Sequence, residues 1–505
     1  MEKNWTIHLP KKPEPLFLIW KKFSTKKMGL WSWGKVDILF WIIGFFILAA
    51  LFTWLIKKKF SNAQTWVVVS MVRFTKPQKI FDIFVKHPNI VNWLTDLGLV
   101  IGFGAVAVDF LWMQKKSLFE RIIVFAASMI GLGFLTSLVF PMDNPIIPIP
   151  TIVMQFFFGL FGLAGIILVS LFYSGIDIFT KLSAGKNACA GVAPVIPGVD
   201  LPNSPISVPL HAWLSFVIIL IVHEASHGFV IRKLGMKLKS YGLLLLGFLP
   251  IGAFVEPDEE ELRKLEKKNP RDALRMYAAG PSSNLYFFLV GGLVLSLLGG
   301  MVVGPLIDPT LNQIHLNSVS GVQIKEVLDK ITICGTEFDT PAHGILLAGD
   351  QILKVDGKEV RTIQEYALST RGKETFTLTI LRDGMEKEFS FEPNTLGRLG
   401  ITVQDIPNEN YTPPEWYVPF VTIAGFIASF LGWLILLNFL VATANFIPVD
   451  PFDGGKMAKL LLLPYFGFLK QGEEETKKTI GRFFVAVLII LIIVNAAPLF
   501  MANAV

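Results

Sequence analysis

His223-Glu224-Ala225-Ser226-His227 sets two imidazoles four residues apart with a carboxylate beside the first. On an α-helix that spacing stacks His223 and His227 one turn apart on one face. Both can then reach one tetrahedral metal ion, and Glu224 stands next to it. The chemistry is that of a zinc hydrolase, with Glu224 as the base. With 7 His and 40 Asp+Glu in 505 residues, the pattern is expected by chance about 0.01 times per chain. The run that holds it is apolar from near Pro209 to Arg232-Lys233. Polar groups placed in such a run cost free energy unless they are paired or ligated.

A hydrolytic zinc site takes three protein ligands and keeps one position open, so two histidines need a third donor from elsewhere. The stretch Asn445-Phe446-Ile447-Pro448-Val449-Asp450-Pro451-Phe452-Asp453-Gly454-Gly455-Lys456 can supply it. Two prolines and paired glycines must break the apolar helix that leads into it, and a broken backbone at membrane depth is tolerated where it lines a polar cavity. Asp453 is the expected third ligand and Asp450 the alternative; a plain Asp-Gly turn is the competing structural reading. In Ala278-Ala279-Gly280-Pro281-Ser282-Ser283-Asn284 the small residues permit close helix approach, and the Asn284 amide can bond between helices.

The elements that must position these groups are membrane helices. The chain is 52% hydrophobic and 17% charged, beyond what a soluble domain usually carries. A polytopic α-helical membrane protein of about eight spans is expected, near 36–56, 91–112, 119–140, 151–173, 209–231, 272–303, 416–447 and 480–501. The net charge of +6 comes from Lys/Arg clusters beside apolar spans, which suits lipid headgroups and implies no nucleic-acid partner. The first long apolar stretch starts near Val36 after a Lys-rich lead and is followed by Lys57-Lys58-Lys59, so it is expected to stay as a helix and not to be cleaved as a signal. Asp109 and Asp177 are expected at helix ends facing water, and Cys189 and Cys334 are expected to have no role, although a bridge between them is possible.

Residues 174–208, rich in Pro and Gly, are expected as an extended loop with neither helix nor central strand. Tyr241 to Val255 is too short and too rich in Gly and Pro for a span and reads as a re-entrant hairpin or loop that could offer an edge strand to an extended peptide. Glu256 to Arg271 has the charge alternation of a solvated surface helix. From Pro305 to about Pro393 the composition turns soluble. Gly349-Asp350-Gln351-Ile352-Leu353-Lys354-Val355-Asp356-Gly357 and Thr375 to Gly384 alternate apolar with polar residues and end in Asp-Gly turns. This stretch resembles a PDZ domain, which implies an inserted α+β module that adds a peptide strand to a sheet edge.

Taken together, His223-Glu224-Ala225-Ser226-His227-Gly228, Gly280-Pro281-Ser282-Ser283-Asn284, the PDZ-like insert and Asn445-x-x-Pro448-x-x-x-x-Asp453-Gly454 resemble the site-2 protease family of intramembrane metalloproteases. The resemblance spans 209–501. It implies zinc (Zn2+) held by His223, His227 and Asp453, with Glu224 as catalytic base and Asn284 and Asn445 holding substrate or oxyanion. Phe452 stands where the family usually has Leu. The implied activity is hydrolysis of peptide bonds in or near transmembrane segments, with a transmembrane protein as substrate and the lipid bilayer as surroundings. The expected layout is 1–208, N-terminal helices and loop; 209–304, first half of the membrane metalloprotease core; 305–400, PDZ-like domain; 401–505, second half of the core.

The basic segments Arg232 to Arg271 and Lys470 to Arg482 are expected in the cytoplasm, with the PDZ-like domain on the opposite side of the cell membrane. Counting four helices before the His223 helix puts the basic N-terminus outside, against the same rule. The competing class is a non-catalytic membrane scaffold or transporter with a peptide-binding domain, for which an intact Glu224 has no use. A zinc peptidase of the prenyl-protein processing type calls instead for a downstream glutamate ligand and no PDZ-like insert.

Overall fold

The computed structural model describes residues 35–60, 62–76, 78–139, 149–199, 204, 206–334 and 336–501. The chain divides into two compact units, Met1–Arg73 with Leu243–Ile251, and Phe74–Gly242 with Gly252–Val505. In the first, α1 (Lys35–Lys59) is a 25-residue apolar helix ending in the three lysines. Strand β1 (Gln64–Thr65) pairs antiparallel with β2 (Val69–Phe74). The Gly247 amide, at the tip of the hairpin formed by β3 (Leu238–Leu246) and β4 (Leu249–Pro257), donates to the Val68 carbonyl. The stretch 241–255 therefore lies within a β-hairpin.

The second unit contains the long helices α2 (Pro88–Val108), α3 (Leu118–Val139), α4 (Thr151–Ser183), α5 (Ala212–Lys233), α7 (Pro270–Leu298), α10 (Tyr417–Asn445) and α12 (Glu473–Met501). By length and composition seven helices among the described residues can cross a membrane, and all lie in this unit. The eighth expected span falls on α1, which is not among them. Gly104 in α2 and Gly162 in α4 both take φ +56°, and a Cβ on either would meet backbone of the other helix at 2.8 Å or less. The kinked helices thus cross at a distance that only glycine permits.

Three expectations are corrected here. Helix α4 runs on to Ser183, so residues 174–183 are helical; no proline interrupts them, and Lys181 pairs with Asp177 one turn back at 2.7 Å. Asp109 does not face water: it is buried, accepts hydrogen bonds from Arg121 Nε and Gln114, and pairs with the Arg121 Nη2 group at 2.6 Å and with the Tyr465 hydroxyl. Cys189 and Cys334 form a disulfide across 145 residues of chain.

Helix α6 (Glu259–Lys268) is the expected surface helix. Asp258 caps it by accepting from the Glu260 and Glu261 amides, and acids fill its first turn and lysines its last, matching the helix dipole. Helical backbone continues beyond α7 through Pro305 into α8 (Asp308–Ser318). Strands then run from β5 (Val319–Val327) to β12 (Ile401–Pro407), later at both ends than the soluble composition indicates. Within them lie β6 (Lys330–Ile333), β7 (Thr336–Asp339), β8 (Gln351–Val355), β9 (Lys358–Glu359), β10 (Phe376–Arg382), β11 (Met385–Phe391) and the helix α9 (Ile363–Thr370). The main sheet has the order β11-β10-β8-β5-β12, so β12 is an edge. Asp383 and Gly384 both have positive φ and form the two-residue turn joining β10 to β11, as the Asp-Gly pair predicts.

Candidate metal centre

Helix α5 carries both histidines past its midpoint and α7 crosses beside them. Asn269 caps α7 by accepting from the Asp272 amide, and Pro270 takes the first helical position. Helix α10 ends at Asn445. After the irregular segment 446–452 the short helix α11 (Asp453–Leu462) begins, with Asp453 as its first residue. A Cβ on Gly454 would lie 2.2 Å from the Ile447 carbonyl oxygen, so the chain doubles back only because that position is glycine.

This return brings three donors together. His223 Nε2 and His227 Nε2 lie 3.3 Å apart, and Asp453 Oδ2 lies 3.2 Å from the first and 3.1 Å from the second. Zinc bonds to imidazole nitrogen and carboxylate oxygen are about 2.0–2.2 Å, for which the edges of a tetrahedron come to roughly 3.3–3.6 Å. The observed triangle is close to one face of that tetrahedron. Two further features fit an ion. A Cβ on Gly280 would stand 2.5 Å from the Nε2 atoms of both histidines, so the missing side chain leaves a hollow against the donors. The two Nδ1 atoms are also engaged, which aims the Nε2 lone pairs inward: His227 Nδ1 lies 2.8 Å from the Met276 carbonyl oxygen, and His223 Nδ1 lies 3.1 Å from the Asn284 amide. With Nε2 turned to a metal each Nδ1 carries the proton, and Asn284, whose Nδ2 now faces His223, accepts that proton once its amide is turned to present the oxygen.

Glu224 accepts from the Val255 backbone amide at 3.0 Å, so β4 fixes its carboxylate. A cavity of about 380 Å³ opens on the site, and His223, Glu224, His227, Asn445 and Asp453 are among its walls. Asn445 reaches the cavity, but its Nδ2 donates to the Val441 carbonyl at 3.0 Å. Asn284 is fully buried behind His223 and does not line the cavity. Asp450, the alternative ligand, turns to Lys459. Sequence reasoning missed the Val255 amide, the Met276 carbonyl and the hollow at Gly280. The first two are backbone groups with no residue signature, whereas Gly280 was visible as a small residue in an apolar helix.

His223, His227 and Asp453 form a triad that could hold a metal ion, with the Glu224 carboxylate in the same cavity and helices of membrane length around it. The sequence model of peptidase family M50 matches residues 211–492, more than half of the chain, which therefore belongs to that family, the site-2 protease family. An uncharacterized protein of Methanocaldococcus jannaschii is 30% identical over 249 residues, 48% of this chain and 55% of that protein. The chain thus spans about half the length of that curated relative.

Proposed function

We propose that the chain is an intramembrane zinc metalloendopeptidase that hydrolyses peptide bonds in or near transmembrane segments of membrane proteins, as in regulated intramembrane proteolysis. The observation that carries this reading is the 3.1–3.3 Å triangle of His223, His227 and Asp453, two of its three donors lying in a helix of membrane length. In it these three residues hold zinc and Glu224 is the base. Bound zinc supplies the Lewis acidity that polarises a peptide carbonyl and brings the acidity of water toward neutrality. Glu224 takes a proton from the attacking water as the water oxygen bonds to the carbonyl carbon. It returns that proton to the amide nitrogen as the C–N bond breaks, leaving a carboxyl and an amine.

A helical substrate hides its carbonyls in hydrogen bonds four residues back, so the cleaved stretch must unwind. Strand β4 is the last of its sheet and can pair with the extended chain. The strands within 305–400 and the edge β12 are read as a PDZ-like module that recognises or filters substrate. The Cys189–Cys334 bond supports placing that module on the oxidising side, opposite the basic segments in the cytoplasm, in a cell membrane.

The test is full-length protein purified in detergent, with zinc quantified and cleavage of a model transmembrane substrate followed. Wild type should carry one zinc and cleave; Glu224→Gln should keep the zinc and lose activity by about 10²–10⁴-fold, the span of general-base catalysis. Equal turnover in the two would remove Glu224 as base and with it the mechanism.

A further inference from the structure

Hydrolysis places negative charge on the former carbonyl oxygen, and electrostatic stabilisation of that charge is usually the largest single catalytic effect. The two asparagines that resemblance offers for this are committed elsewhere: Asn284 is buried against His223, and the Asn445 Nδ2 is engaged by the Val441 carbonyl. Among the described residues two cations line the cavity, Lys239 and Lys456. Lys456 sits one turn after Asp453, with Nζ 3.7 Å from Oδ1, the ligand carboxylate's other oxygen, and half of its side chain exposed. The ammonium also lies 5.2 Å from the ring centre of Tyr277, whose hydroxyl is anchored on Glu266 at 2.5 Å.

A cation in the first turn of a helix opposes the helix dipole, which makes Lys456 a poor choice for the stability of α11. Its position has a chemical use. The ammonium stands 3.7 Å from the oxygen of Asp453 that is not in the donor triangle, held there by that oxygen and an aromatic face. Resting on the peptidase reading above, we infer that Lys456 binds the oxyanion that forms on the attacked carbonyl, the part resemblance gave to the asparagines.

Full-length wild type, Lys456→Gln and Lys456→Arg are compared for zinc content, kcat and KM on the model substrate, and inhibition by a phosphinic peptide of the cleaved sequence, which carries the tetrahedral anion. The expected result for Lys456→Gln is unchanged zinc, KM within about threefold, and kcat and phosphinate affinity both lowered on the order of 10²-fold. Lys456→Arg, which keeps the charge in a different shape, should fall between. Phosphinate affinity and kcat within about threefold of wild type overturn the inference, as does loss of zinc in step with activity, which would make Lys456 a positioning residue for Asp453. A wild type that binds zinc and phosphinate but cuts nothing sinks the peptidase reading instead, and the phosphinate comparison still decides on Lys456.

Discussion

The amide of Asn284 lies 3.1 Å from Nδ1 of His223, both groups buried, with α7 and α5 meeting at that bond. Among the described residues the amide oxygen of Asn284 has no partner. Turning the amide gives that oxygen the Nδ1 proton and leaves Nε2 free to face a metal, so one rotation pairs the acceptor of Asn284 with the donor of His223. Asn284 is then a positioning residue for a ligand. Asn284→Ala should weaken zinc binding by about 10–100-fold, the usual effect of losing such a partner, while activity at saturating zinc recovers most of the wild-type rate. Competition with a chelator measures the first and zinc titration of activity the second; a loss of kcat that excess zinc does not restore would return Asn284 to a direct role on substrate.

Gly280 makes a sharper prediction. Alanine is the better helix former by about 1 kcal/mol, so Gly280→Ala should favour α7 locally. Its methyl carbon would nevertheless stand 2.5 Å from both Nε2 atoms, inside contact distance. The variant should fold and insert normally yet purify without zinc. Stoichiometric zinc in Gly280→Ala would mean that the histidines move aside without loss, and that the hollow is not part of the metal site.

The carboxylate of Glu224 depends on a backbone donor, the Val255 amide at 3.0 Å. Val255→Pro deletes that donor and should lower kcat by about tenfold or more with zinc unchanged, whereas Val255→Ala keeps it and should stay near wild type. If the two variants behave alike, the side chain of Val255 matters and the hydrogen bond does not.

These relations mark where the sequence was readable. His223, His227 and Asp453 carry their chemistry in their residue types, and the helical period with the Pro/Gly break before Asp453 was enough to bring them together on paper. Long apolar runs announced the membrane helices for the same reason. What stayed hidden depends on the neighbour across the fold. Asp109 reads as a helix-end acid until Arg121, Gln114 and Tyr465 close around it. Cys189 and Cys334 are 145 residues apart, and no local pattern links them. The extension of α4 to Ser183 was hidden by the prolines further along, whose influence was read back too far.

Asp109 and Arg121 illustrate how such a pair behaves energetically. Asp109 is almost wholly buried and takes two hydrogen bonds from Arg121, of 3.0 and 2.6 Å. Arg121→Met leaves that acid without its counter-ion and should destabilise by about 3 kcal/mol, the low end for a broken buried pair because Arg121 is itself partly exposed. Replacing both, as Asp109→Leu with Arg121→Met, should recover much of that loss. Thermal unfolding in detergent gives the comparison, and a double variant less stable than the single one would contradict the desolvation argument.

In the β-rich segment, Asp350 links the loop before β8 to β10. It pairs with Arg382 at 2.6 Å and accepts the Leu347 amide at 2.8 Å. Burial alone would raise the carboxyl's pKa, but the hydrogen bonds and charge of Arg382 and the Leu347 amide outweigh it and hold the pKa below the ordinary aspartate value. A carboxyl whose pKa is depressed by folding contributes stability that is fully present above the unfolded value of about 3.9 and is lost as pH falls through the lower folded one. Asp350→Asn keeps the shape and removes the titration. Below about pH 4, residues 319–407 of the wild type should therefore become progressively more open to hydrogen exchange, measured on the full chain. The variant should be less protected at neutral pH and change less on acidification. Parallel acid profiles in the two proteins would show that another group governs the acid lability of this sheet.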